Sequence, residues 1–150
     1  MKLDATANVV SWCADECSRQ KTDPKLVANM FNAWRWVYEF EADPRTIDAR
    51  HLEHFIMAIN AKVLGDIGAS YRTTAVYFDD YRFAPAWTAV PQAMHSLCTH
   101  HQDVETSDFV YEFLKIHPFI DGNGRTAAIL WNCSNNSLAN PMTLPKFDFT

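Results

Sequence analysis

The sequence predicts a mainly helical domain with one short β-hairpin, and two observations carry that reading. Apolar residues recur at three- and four-residue spacing through most of the chain, whereas residues 68–85 break the period with aromatic and β-branched side chains. At 150 residues, 48% hydrophobic and 21% charged, the chain has the size of one typical domain and enough apolar matter for a real core. Lys and Arg total 13 against 18 Asp and Glu, a net charge of −5, so there is no basic surplus for a phosphate backbone and nucleic acid is not an expected partner. Its apolar runs fall far short of the roughly 18 residues that span a bilayer, and Met1-Lys2-Leu3-Asp4 lacks a signal-peptide core. The expectation is a cytoplasmic protein without membrane contact.

The elements follow in order. A first helix precedes Lys21 and carries Val9, Val10, Trp12 and Cys13. Asp23-Pro24 supplies an N-cap and a first-turn proline for a second, whose apolar stripe is Val27, Met30, Phe31, Trp34, Val37 and Tyr38. Asp43-Pro44 is read as the start of a third, with Leu52, Phe55, Ile56, Ile59 and Val63 on one face and an end near Leu64-Gly65. Tyr71 to Phe78, followed by the turn-prone Asp79-Asp80, is the hairpin. Helix returns from Pro91 to about His101, again from Thr106 to His117, and once more from Arg125. With no repeat, linker or low-complexity tract, residues 1–150 read as a single domain: a helical scaffold over 1–45, a core over about 46–138 and a tail over 139–150. The five tryptophans are assigned to packing. Cys13, Cys17, Cys98 and Cys133 are expected as reduced, partly buried thiols, since their spacing is not a zinc pattern and a chain of this size stands without disulfides.

The chemistry concentrates in His117-Pro118-Phe119-Ile120-Asp121-Gly122-Asn123-Gly124-Arg125. Pro118 stops the preceding helix and leaves His117 at its end. Gly122 and Gly124 permit a tight turn whose N–H groups converge at the start of the next helix, a natural anion site to which Arg125 adds a permanent charge. Asp121 is a hard oxygen ligand suited to Mg²⁺, and His117 can take a proton from a hydroxyl near neutral pH. Phosphoryl-type transfer depends mainly on positioning and charge neutralisation, so this set is sufficient for it.

The string resembles the signature of the Fic (Fic/Doc) family, His-Pro-Phe-x-Asp/Glu-Gly-Asn-Gly-Arg-x-x-Arg. Eight fixed positions would arise by chance at roughly one in 10¹⁰ per start position. Gly68-x-x-Tyr71-Arg72 with Val76 resembles the family's flap hairpin, and the likeness runs from Thr46 to Leu138. The resemblance implies a Fic-like helical fold, His117 as general base toward a target-protein hydroxyl, and Asp121 as the Mg²⁺ ligand. It assigns Gly122, Asn123, Gly124 and Arg125 to the nucleotide phosphates, and a flap (Arg72, Thr74, Val76, Tyr77) to docking the target by strand addition. The implied activity is transfer of AMP, or another nucleoside monophosphate, from ATP or another nucleoside triphosphate to Ser, Thr or Tyr.

One departure bears on mechanism. The family's final arginine is Ala128 here, which the Doc branch of protein kinases also lacks, and losing a charged hydrogen bond to the nucleotide costs roughly 1.5–3 kcal/mol. Restoring arginine at 128 is therefore expected to improve AMP transfer. No Ser or Thr is followed four residues later by Glu, so the family's inhibitory-helix motif is not found, and either a separate antitoxin-type inhibitor restrains the protein or nothing does. A γ-phosphate-transferring kinase and an inactive Fic-fold binding module are the two other readings.

Overall fold

The runs of three- and four-spaced apolar residues become helices in the computed structural model, which describes residues 6–41, 43–78 and 81–147. Among the described residues six α-helices form: α1 (Thr6–Arg19), α2 (Val27–Phe40), α3 (Ala49–Val63), α4 (Val90–Thr99), α5 (Thr106–Ile116) and α6 (Asn123–Ser134). Asp23 does cap the chain ahead of α2, but over a short 3₁₀ turn, Pro24–Leu26, with its carboxylate accepting from the Lys25 N–H at 2.9 Å. The start of α3 lies later than Asp43-Pro44 suggests. Asp43 is closed into an isolated turn by the Arg45 N–H at 3.0 Å and by the Arg45 side chain, and Asp48 caps the helix instead, accepting from the His51 N–H at 3.0 Å.

α6 occupies the centre. It packs against α2, α3 and α5, while α3 lies between α2 and α4, and α1 covers α2. Ala127, Ala128, Ile129 and Leu130 on consecutive positions are all buried, so α6 has no solvent face along that turn. Around it Met30, Trp34, Leu52, Ile56, Ile59, Met94 and Phe113 form one core. The segment after α6 is tied back by Asn132, whose Nδ2 donates to the Met142 carbonyl at 3.0 Å and whose Oδ1 accepts from the Met142 N–H and the Ser137 hydroxyl, both at 2.7 Å. The Leu138 carbonyl accepts from the Trp34 indole at 2.8 Å.

The expected β-hairpin is corrected: no β-strand forms among the described residues. What remains is one antiparallel bridge, Tyr77 to Phe83, flanked by the Ala84 N–H donating to Val76 at 3.0 Å. The cause lies in competing partners. The Arg72 N–H is given to the Pro118 carbonyl at 2.9 Å, so the first half of the segment pairs with the loop after α5, and Pro85 ends the second half. Two short strands without a third are marginal in any case. The Asp79-Asp80 turn lies outside the described residues.

All four cysteines are free thiols. Burial pushes Cys13, Cys98 and Cys133 each up to about 12. Among the described residues no helix is long and apolar enough to cross a membrane.

Two outcomes follow from this packing. Asn132→Ala strips partners from several polar groups at the end of α6 and should cost about 2 kcal/mol, read as a fall of about 4–8 °C in Tm. Early proteolytic cutting within residues 137–147 should accompany it. Thiols protonated up to about 12 in the fold but only to about 9 when exposed contribute stability below pH 9 that is lost as pH climbs toward 12. Urea midpoints measured from pH 7.5 to about 10.5 should fall, and a Cys13→Ala, Cys98→Ala, Cys133→Ala variant should fall less steeply.

Candidate active site

Pro118 ends α5, and the chain leaves through His117, which is left-handed at φ 52, ψ 61 and closes its N–H onto the Phe113 carbonyl at 3.0 Å. Glycine is the usual residue in that conformation, because a β-carbon costs about 1 kcal/mol there. The half-buried imidazole stands edge-on to Phe78, with centroids 5.3 Å apart. Its Nδ1 lies 3.3 Å from the Leu114 carbonyl, which can only accept, so the proton belongs on Nδ1 and the basic lone pair on Nε2.

The loop that follows is fixed from within. Phe119 is buried between Tyr71 and Phe113, and the Asn123 carboxamide closes on its peptide groups, accepting from the N–H at 3.0 Å and donating to the C=O at 2.8 Å. Asn123 thus spends its side chain on the loop and offers an incoming anion only its backbone. Gly122 is left-handed at φ 77, and a β-carbon there would lie 2.9 Å from Asn60 Nδ2 and 3.2 Å from Val63 Cγ1. Asn60 itself donates to the Asp121 carbonyl at 2.9 Å. Gly124, in the first turn of α6, has the Gln20 carboxamide against it, where a β-carbon would come within 2.3 Å of Oε1. Gln20 is held in turn by Glu16, which also pairs with Arg19.

Arg125 is 2% exposed. Its Nη2 donates to Asp121 Oδ1 at 3.2 Å, while Nη1 is buried without a hydrogen-bond partner. A buried, unsatisfied guanidinium N–H beside a helix N-terminus is what an anion would complete. Asp121 is exposed, and its Oδ1 also accepts from the Gly122 N–H at 2.8 Å. Mg²⁺ in phosphate sites takes one or two carboxylates and fills its shell with phosphate oxygens and water, so this one exposed carboxylate at the rim of the loop fits it. Among the described residues no group of three His, Cys, Asp or Glu forms that could hold a metal by protein alone.

The flap residues divide. Thr74 and Tyr77 are exposed, Val76 is half-buried, and the Tyr77 ring lies tilted against Phe83 with centroids 4.4 Å apart. Arg72 turns inward, 4% exposed, with its guanidinium bonded to backbone carbonyls. Ala128 is fully buried in the core, so an arginine at that position would have to be accommodated there, which weighs against the expectation that it improves AMP transfer. Sequence reading missed Asn60 and Gln20. The signal for Asn60 was present, as a polar residue continuing the apolar face Leu52, Phe55, Ile56, Ile59 of α3; Gln20 left none.

A helical domain that places a histidine before, and a buried arginine after, one glycine-containing loop at a helix N-terminus is equipped for phosphate chemistry. The sequence profile of the Fic/DOC family matches residues 48–133, more than half of the chain, and the chain belongs to that family. Among solved structures, a Fic family protein from Desulfovibrio desulfuricans G20 superposes with a TM-score of 0.64 at 19% identity, over 89% of this chain and 49% of that one. At that identity the likeness shows the fold, and this chain spans about half the length of that protein. No curated protein matches the sequence.

Three substitutions separate the roles of these positions. Gly122→Ala should cost about 2 kcal/mol, since strain and backbone-tethered neighbours combine. Gly124→Ala should be nearly neutral in Tm, because only the flexible end of Gln20 must move. Ala128→Arg should destabilise by about 3 kcal/mol, measured by urea unfolding, instead of improving the enzyme.

Proposed function

We propose that the chain is a protein nucleotidyltransferase that moves a nucleoside monophosphate, in the first instance AMP from ATP, onto a hydroxyl side chain of a target protein. The observation that carries this reading is the buried Arg125, whose unsatisfied Nη1 sits at the head of α6, four residues after Asp121 and eight after His117. Family membership supports the same class of reaction.

In this mechanism the target hydroxyl oxygen attacks the α-phosphorus. The bond from that phosphorus to the bridging oxygen of the β-phosphate breaks, pyrophosphate leaves, and the hydroxyl proton passes to His117 Nε2. The N–H groups at the start of α6 and the Arg125 guanidinium take up phosphate charge. When bound, Mg²⁺ supplies further neutralisation of the phosphates, with Asp121 as its protein ligand. Nδ1–H on the Leu114 carbonyl keeps the imidazole in the tautomer that can accept the proton. The target segment would lie along the flap, over the exposed faces of Thr74 and Tyr77.

One observation favours a second reading. With Ala128 in the core, Arg125 is the sole arginine among positions 117–128 to meet phosphate, and ATP placed with its γ-phosphorus toward His117 would make the enzyme a kinase. ATP labelled at the α- or the γ-phosphate separates the two. The α-label should appear on protein with wild type and fall by roughly 10²–10⁴-fold in His117→Ala. Label from the γ-position alone would replace AMP transfer by the kinase, and equal labelling by a folded His117→Ala would remove His117 from the chemistry.

A further inference from the structure

We infer that Arg72 is a positioning residue of this site: it caps the end of α5 and the loop beyond it, and thereby holds His117 in its left-handed conformation. The inference rests on the reading of His117 as the base. Arg72 is buried, yet every hydrogen bond described for its guanidinium goes to a backbone carbonyl. Nε donates to His117 at 2.7 Å, Nη2 to Ile116 at 3.2 Å and to Pro85, and Nη1 to Thr74 at 3.0 Å. Its backbone N–H adds the carbonyl of Pro118 at 2.9 Å. Three successive carbonyls, of residues 116, 117 and 118, therefore converge on one residue of the flap segment.

Each part of this has a physical reason. The last carbonyls of a helix have no partner within it, and they form the negative end of its dipole, so a fixed cation with several N–H groups satisfies both. Only a guanidinium has the planar fork to reach carbonyls from three segments at once; an ammonium offers a point charge and three donors. The left-handed turn at His117 is unfavourable for a residue with a β-carbon and persists only where its surroundings over-determine it. Arg72 is the residue that bonds to the carbonyls on both sides of that turn. Its neighbour Tyr71 holds the next stretch, with its ring against Phe119 at 5.9 Å and its hydroxyl bonded to Glu53 of α3. Because the backbone angles at 117 aim the imidazole, losing the fork would displace the base without touching the phosphate loop, and a displacement of about 1 Å costs roughly 10²-fold in rate.

The test compares wild type with Arg72→Lys and Arg72→Met by amide and guanidinium hydrogen exchange without substrate, and by kcat and KM for ATP in label transfer. In wild type the Arg72 Nε–H should exchange slowly. In Arg72→Lys the His117 amide should exchange at least about tenfold faster while Ile129 and Leu130 in α6 keep their protection. Its kcat should fall about 10²-fold with KM for ATP within about twofold, and Arg72→Met should show the same pattern more severely. Rapid exchange of Nε–H in wild type, or unchanged His117 exchange and kcat in Arg72→Lys, would overturn the inference, as would a loss confined to KM. Should wild type transfer no label, the base reading of His117 fails, and the exchange data alone then decide whether Arg72 caps α5.

Discussion

The Asn123 carboxamide both accepts from and donates to the peptide of Phe119, and this closed pair lets a polar loop enter an apolar core. α6 begins with no side-chain cap, so the N–H groups of its first turn are not taken up by the side chains of the loop. Asn123 begins that turn and folds the preceding residues back over it. With the pair in place Phe119 becomes a core residue, Pro118 is drawn down behind it, and His117 is left at the rim. The loop's shape is thus set by a hydrophobic anchor and an amide, and its two glycines serve close approach: Gly122 to Asn60 and Val63, Gly124 to Gln20.

Two buried arginines in this small domain meet the cost of burial in opposite ways. Burial lowers the pKa of Arg72, but a guanidinium remains charged in proteins, and carbonyls of four residues absorb it. Arg125 has Asp121 on one nitrogen and an orphaned N–H on another. Native interiors rarely leave a buried charged donor incomplete, so such a group calls for an explanation. Arg72 thus has its charge taken up by the fold itself, whereas Arg125 keeps capacity for one more acceptor, which the proposed function gives to a nucleotide phosphate.

What the sequence made legible follows from the range of the interactions involved. The string 117–125 is local chemistry: a helix stop, a turn and a helix start, each readable from neighbouring residues; the stop stands at Pro118 as expected, while α6 begins at Asn123, two residues ahead of the expected Arg125. The start of α3 was misread because Asp43 and Asp48 both carry capping chemistry, and only the Arg45 side chain folded onto Asp43 decides between them. The hairpin was misread because aromatic and β-branched composition reports a half-buried extended segment, not its partner. In this stretch Arg72 takes the loop after α5 as its backbone partner, and only Val76 onward pairs back with the second half of the segment. Arg72, Asn60 and Gln20 reach the site across 45, 61 and more than 100 residues of chain, a distance over which no spacing rule operates.

Ala128 shows how such long-range packing limits analogy. By position it stands where the family signature has its second arginine, one turn beyond Arg125, and a reading by motif alone treats it as a lost contact. In this fold the position is fully buried in the core, and its own carbonyl accepts from Asn132 at 2.8 Å, the same side chain that pins the C-terminal segment. Alanine at 128 is therefore part of the core packing, and an arginine there would have to find room in it. Under the reading proposed above, nucleotide orientation is decided by which phosphate Arg125 and the α6 N–H groups select, and the phosphorus nearest His117 follows from that choice.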